Sequence, residues 1–164
     1  RSTLFPYTTL FRSSYPYFKD DALPSDDDKV FNVVEEMPKY PGGNQKIFQY
    51  LAANLRYPTV PREMLVDGEV VVKFIVGKTG LIRSPKVIEV NTKSPLITDE
   101  VAKAAKADDE EAKELLKNYQ AAIEALKEEA IHVVRNMPRW EPGRQNGKRV
   151  ETTYTLPVSF KLDP

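Results

Sequence analysis

Gly68-Glu69-Val70-Val71-Val72-Lys73-Phe74-Ile75-Val76 carries the clearest structural signal in the chain. β-Branched and aromatic side chains fit a pleated, half-buried surface, so this run reads as a strand. Val70, Val72, Phe74 and Val76 share one face at a period of two. Gly77-Lys78-Thr79-Gly80 is a short glycine-containing loop of hairpin type. Residues 81–90 then read as the returning strand, with Ile88 and Val90 on one face. Pro85 cannot donate to a ladder, so it argues for an edge or a bulge early in that strand.

Upstream of the hairpin, Phe48, Leu51, Ala52 and Leu55 fall at i, i+3, i+4 and i+7 and predict a helix with a single apolar face. Asn44 is its predicted N-cap, and Pro58 closes the segment, because the residue before proline is pushed out of helical geometry. Met37-Pro38-Lys39-Tyr40-Pro41-Gly42-Gly43 breaks any regular element, and a short strand is expected over residues 30–34, where order begins.

Downstream, residues 98–137 read as helical. Leu116, Tyr119, Ile123, Leu126, Ala130, Val133 and Met137 alternate spacings of three and four, a stripe that suits either a coiled coil or a sheet. Asp108-Asp109-Glu110-Glu111 reads as the charged start of a helix, favoured by the helix dipole. Met137-Pro138-Arg139-Trp140-Glu141-Pro142-Gly143 stops the helix and echoes the earlier Met-Pro-x-aromatic segment. The echo is read as two similar chain reversals rather than a domain repeat. Val150, Thr152, Tyr154, Leu156, Val158, Phe160 and Leu162 alternate along a terminal strand. Pro157 lies inside it, so that strand is expected at an edge, or with the proline nitrogen turned outward.

The 164 residues suffice for one domain and a tail. Acidic and basic residues balance at 24 each, which removes the electrostatic case for nucleic acid. The absence of cysteine excludes disulfide frameworks, zinc ribbons and thiol nucleophiles. No apolar run reaches the roughly 18 residues needed to span a bilayer, and no secretory signal is visible. Residues 1–29 read as tail and linker, with an acidic stretch at 19–28. Within them, Arg1-Ser2-Thr3-Leu4-Phe5 is echoed by Thr9-Leu10-Phe11-Arg12-Ser13. Two readings of residues 1–14 stand: translated technical sequence, or an ordinary disordered tail.

Little in the sequence points to catalytic chemistry. His132 is the lone histidine, on the predicted helix beside the stripe, and a metal site or catalytic base needs partners that the sequence lacks. Gly42-Gly43 is not followed by the lysine and hydroxyl of a phosphate loop. No hydrolase elbow, zinc-protease or dinucleotide fingerprint occurs, and the EF-hand spacing is missing. The expectation is therefore a non-enzymatic chain without metal or cofactor. The most functional feature is the terminal strand: an alternating edge presents free N–H and C=O groups that are either covered or meant for a partner strand.

Pro41-Gly42-Gly43, Arg56-Tyr57-Pro58, the 68–76 run with Gly80, the helix ending at Met137, Trp140-Glu141-Pro142-Gly143 and Leu156-Pro157-Val158-Ser159-Phe160-Lys161-Leu162 occur in the order found in the TonB C-terminal domain. The chain resembles that family over residues 30–164, and its Met-Pro-x-aromatic-Pro-Gly-Gly opening looks like the version in Bacteroidetes-type energy transducers. The resemblance implies an α+β fold, a three-stranded antiparallel sheet packed on helices. It implies a periplasmic domain tethered to the inner membrane and driven through an ExbB–ExbD motor. It implies that the last strand grips the TonB box of an outer-membrane transporter by β-strand addition. Carried onto this chain, the peptide-binding residues are Thr153, Tyr154, Thr155, Leu156, Val158, Ser159, Phe160, Lys161 and Leu162, with Asn54, Arg56 and Tyr57 beside the bound peptide.

Two departures from the family pattern stand out: the anchor and spacer are absent from this sequence, and about 25–30 residues, roughly 93–126, are inserted before the core helix. The insertion is expected to lengthen that helix, with a shorter helix over residues 98–106 folded back on it. Replacing 97–125 by a short loop is expected to leave a folded domain. The 98–137 helix is also a candidate surface for a homodimer. The rival function is a scaffold module of a membrane-anchored sensor or peptidase, not coupled to transport.

Overall fold

A computed structural model describes residues 29–162. The tail reading of 1–29, including the question of 1–14, lies outside the described residues but for Lys29. In chain order the elements are β1 (Val30–Phe31), α1 (Lys46–Asn54), α2 (Thr59–Glu63), β2 (Asp67–Val76), β3 (Ile82–Lys93), α3 (Asp99–Lys106), α4 (Glu110–Arg135), β4 (Gly143–Gln145) and β5 (Lys148–Phe160).

The class is α+β, as expected, but the sheet has five strands rather than three. Its antiparallel centre is β5-β2-β3. To this are added β1, parallel to β5 at Glu151 and Thr152, and β4, which forms a hairpin with the start of β5. Asn146 and Gly147 both have positive φ, which is what a two-residue hairpin turn needs, and Asn-Gly supplies it at least cost. Asn-Gly is itself a hairpin signal in the sequence, absent from the expectations above.

The β2 reading holds: Val70, Val72, Phe74 and Val76 are buried on one face. Full burial of each contributes about 1.5–3 kcal/mol relative to exposure. On β3 the expectation needs correction. Val71 pairs with Glu89 and Val72 with Val87, so Ile88 is the extra residue of a bulge and stands 49% exposed. Ile88 and Val90 therefore do not share a buried face. A second register shift spans Ser84 and Pro85, where Ser84 has φ 54°. The proline thus occupies both an edge strand and a bulge.

The inner face of the sheet packs on α4, and α2 packs against α4 as well. The stripe on α4 is partly as read: Leu126, Ala130, Val133 and Met137 are buried, while Leu116, Tyr119 and Ile123 are half-buried. Ala122 and Val134, outside the stripe, are completely buried. A repeat of 3.5 drifts against the 3.6-residue turn, so the buried line on this helix moves across the stripe. The foot of α4 has two covers. Tyr119 Oη lies 3.2 Å from both Thr92 Oγ1 and the Thr92 carbonyl oxygen on β3. And α3 folds back along α4, capped by Thr98, whose side chain accepts from the Val101 N–H. Asp109 caps α4 by accepting from the Ala112 N–H. Ala122 lies in the core, so a loop replacing 97–125 would cut into it.

Candidate functional site

β5 has two sides. On one, it pairs with β2 in unbroken antiparallel register from Gly68↔Phe160 to Val76↔Thr152. On the other, among the described residues, its partners are β4 at 148–150 and β1 at Glu151 and Thr152. One side chain extends this cover: Thr153 Oγ1 donates to Asn32 Oδ1 at 2.9 Å. From Tyr154 to Phe160 the outer edge has no strand beside it among the described residues. Such a row of backbone donors and acceptors is a template for an added strand. Pro157 sits in this stretch opposite Val71 without disturbing the register. A proline is tolerated here because one side of the strand has no ladder to lose.

The side chains alternate across β5. Val150, Thr152, Leu156, Val158 and Phe160 are buried inward, with Tyr154 half-buried on the same face. Thr155, Pro157 and Ser159 are exposed on the opposite face. Tyr154 belongs to an aromatic cluster: its ring lies 4.9 Å from Trp140 and 5.7 Å from Phe74. Burial raises the Tyr154 phenol above its usual pKa.

The sequence-predicted site residues do not all converge. Tyr57 does meet the end of β5: its ring stands edge-on to Phe160 at 5.9 Å. Its hydroxyl donates to the Val66 carbonyl, its backbone carbonyl accepts from Arg62, and the Arg62 guanidinium lies 5.8 Å from the ring. Burial is the main cause of a raised Tyr57 pKa, Asp67 adds to it, and Arg62 opposes it. Tyr57, Arg62, Leu65, Lys161 and Leu162 line a small depression at this end. Asn54 and Arg56 are occupied elsewhere. Asn54 donates back to the Tyr50 carbonyl of its own helix, and the Arg56 N–H donates to Glu129 on α4. β5 stops at Phe160, so Lys161 and Leu162 continue beyond the strand.

Two expectations about α1 are corrected. Asn44 is not its cap: the helix begins at Lys46, and Asn44 Oδ1 instead accepts from the Tyr40 N–H, closing the Pro-Gly-Gly turn. The buried face is Ile47 and Leu51, while Phe48 is 69% exposed and Ala52 is exposed too. The five-residue α2 was not foreseen, being too short to show a helical period.

The Met-Pro-x-aromatic echo has a structural meaning beyond two reversals. The two segments pair with each other: Glu36 with Arg144 and Lys39 with Glu141, both antiparallel. Four backbone hydrogen bonds of 2.8–3.1 Å join them.

A roomier depression lies between α3 and α4, floored by Val101, Ala104, Ala112 and Leu115 and rimmed by Glu100, Asp109, Glu111 and Glu114. It holds no convergent set of reactive groups, so the open β5 edge is the better candidate site. His132 is exposed, with Nδ1 at 3.9 Å from Glu129. Among the described residues no grouping of His, Asp and Glu could hold a metal ion, and no helix is long and apolar enough to cross a membrane.

Comparison with known proteins gives the same resemblance as the motifs. The family described as Gram-negative bacterial TonB protein C-terminal matches residues 118–162, which comprise most of α4 together with β4 and β5. No curated protein matches the chain. Two NMR structures of the Helicobacter pylori TonB C-terminal domain, solved in two lengths, are similar to it. One is 19% identical, with a TM-score of 0.38, over 73% of this chain and 80% of that one. The other is 21% identical, with a TM-score of 0.32, over 71% and 90%.

Proposed function

We propose that this chain, which resembles the TonB C-terminal domain family, is the transporter-coupling domain of a TonB-type energy transducer. Its open β5 edge takes the TonB box of an outer-membrane transporter as an added strand. The observation that carries this reading is the asymmetry of β5: fully laddered to β2 on one side, without a strand beside 154–160 on the other among the described residues. Backbone groups supply the affinity in strand addition, so no catalytic residue, metal or cofactor is required. Each backbone bond contributes about 0.5–1.5 kcal/mol net, so a box pairing over four or five residues binds weakly to moderately. That suits a coupling that must form and release.

On this reading the domain works in the periplasm. An inner-membrane anchor outside this sequence passes force from an ExbB–ExbD motor driven by the proton gradient. Tyr57 guards the far end of the docking edge against Phe160. Asn54 and Arg56 join the peptide only by leaving their present partners.

The test is an NMR titration of the labelled 164-residue chain with TonB-box peptides. Amide shifts concentrated over 153–160 and at Tyr57, and lost when the peptide carries a mid-box proline, are expected. No shift at millimolar peptide would overturn strand addition and favour a scaffold module of a membrane-anchored sensor.

A further inference from the structure

Phe48 is the most exposed large aromatic side chain of the described core region, at 69%, and nothing in its own helix accounts for that. Its place relative to β5 does. The start of the segment carrying α1 touches β5 where Asn44 Nδ2 donates to Tyr154 Oη at 3.5 Å. The end touches it where Tyr57 meets Phe160. The segment 44–57 therefore follows β5 along its open stretch, 154–160.

One flank of α1 is taken by α4: Tyr50 Oη donates to the Val133 carbonyl at 2.8 Å, and the Arg56 N–H donates to Glu129 at 2.8 Å. Ile47 and Leu51 point to the core. Residues on a helix advance by about 100° each, so Tyr50 lies about 80° to one side of the Ile47–Leu51 line and Phe48 about 80° to the other. Ala52 follows Phe48 one turn on. α4 packs over β2 and β3. The flank of α1 facing away from α4 therefore overhangs the outer edge of β5.

We infer that Phe48 and Ala52 form an apolar shelf over the open β5 edge and select added strands that carry aliphatic or aromatic side chains at every second, helix-facing position. This rests on the strand-addition reading and sharpens it. A strand laid beside β5 sits about 4.8 Å beyond it and turns alternate side chains toward the helix layer. Those side chains meet Phe48 and Ala52, whereas the other set faces solvent with Thr155, Pro157 and Ser159. Backbone pairing alone is blind to sequence, and this shelf supplies a reader for it.

The probes are capped nonapeptides of alternating valine and threonine, in both phases, each with its valines replaced by serine as control. They are titrated into the wild-type chain and into Phe48→Ala, with β5 amide shifts as the readout. Phe48 is exposed, so the variant keeps its fold, which its spectrum and melting point verify. The wild type should prefer valine over serine peptides by roughly three- to ten-fold. Phe48→Ala should lose most of that preference while β5 shifts persist. If β5 shifts occur in both proteins with the same valine preference, strand addition stands and the shelf is refuted. If β5 amides shift in neither, both fall.

Discussion

The Tyr40 and Trp140 rings meet edge to face, 5.7 Å between centroids and 85° between planes. Lys39 pairs with Glu141, which sets Tyr40 opposite Trp140 across the joined echo segments. The two similar pieces of sequence are similar because each gives one aromatic to the same junction. Trp140 also stacks edge-on against Phe74 at 5.5 Å, linking the junction to the centre of the sheet.

This junction predicts a measurable coupling. In urea unfolding, Tyr40→Leu and Trp140→Leu should each destabilise, and the double variant should lose less than their sum by about 0.5–1.5 kcal/mol. Trp140→Phe should cost less than Trp140→Leu. It keeps a ring, and it removes an indole N–H that is buried without a partner among the described residues. Additivity within about 0.3 kcal/mol would show that the rings are not coupled.

Gly80 is fixed by the same tryptophan. Its φ is +88°, and a Cβ there would stand 2.0 Å from the Trp140 carbonyl oxygen. The Gly80 carbonyl also accepts from the Trp140 N–H at 2.9 Å. Gly80→Ala should cost roughly 2–4 kcal/mol, strain and clash together. Gly147, with φ +76° and nothing within 4 Å, is the control. Gly147→Ala should cost only about 1 kcal/mol. Equal midpoints for the two variants would mean that the Trp140 contact is not what fixes Gly80.

Much of the fold was legible where one periodicity ran for long enough. The period-two run of β2 and the alternation of β5 announce both strands, and the acids around Asp109 mark the start of α4. Local rules failed where long-range pairing decides. Nothing around Ile88 announces a bulge, because the bulge arises from the match of β3 to β2. Phe48 and Leu51 share one apolar stripe of α1 and Ile47 and Leu51 an adjacent one, so the spacing fits both, and packing against the core buries the second. The open edge of β5 was anticipated from Pro157 and its alternation. That β1 and β4 cover its first residues was not, since strands of two and three residues carry no period.

Four wholly or partly buried phenols predict lability in alkali. Burial raises the pKa of Tyr40, Tyr50, Tyr57 and Tyr154. The folded state therefore favours the neutral phenol. This contribution is fully present below the unfolded pKa of about 10 and is lost as pH rises through the higher folded values. Urea midpoints should be flat on this account between pH 8 and 9 and fall above pH ~10. Tyr154→Phe removes one of the four ionisations, so its midpoint should fall less steeply. A parallel decline in variant and wild type would show that Tyr154 does not contribute.

The α3–α4 hairpin should be separable from the domain, but at a boundary set by Tyr119 rather than by residue 125. Tyr119 holds α4 to β3 through Thr92, and Ala122 and Leu126 are completely buried beneath it. Beyond them, α3 has no buried residue, and Ala112 is the one buried position in the first turns of α4. Replacing 97–116 by a short Gly/Ser/Asn loop should give a folded chain with the same β-sheet amide pattern. It should be less stable by a few kcal/mol, because Ile97 and Leu115, which pack against the core, are lost with it. Replacing 97–125 also removes Tyr119 and Ala122 and should unfold the domain. Amide spectra of the two deletions distinguish the cases. A folded 97–125 deletion would place the core boundary further along α4 than the packing of Ala122 implies, and an unfolded 97–116 deletion would make the hairpin part of the domain's own core.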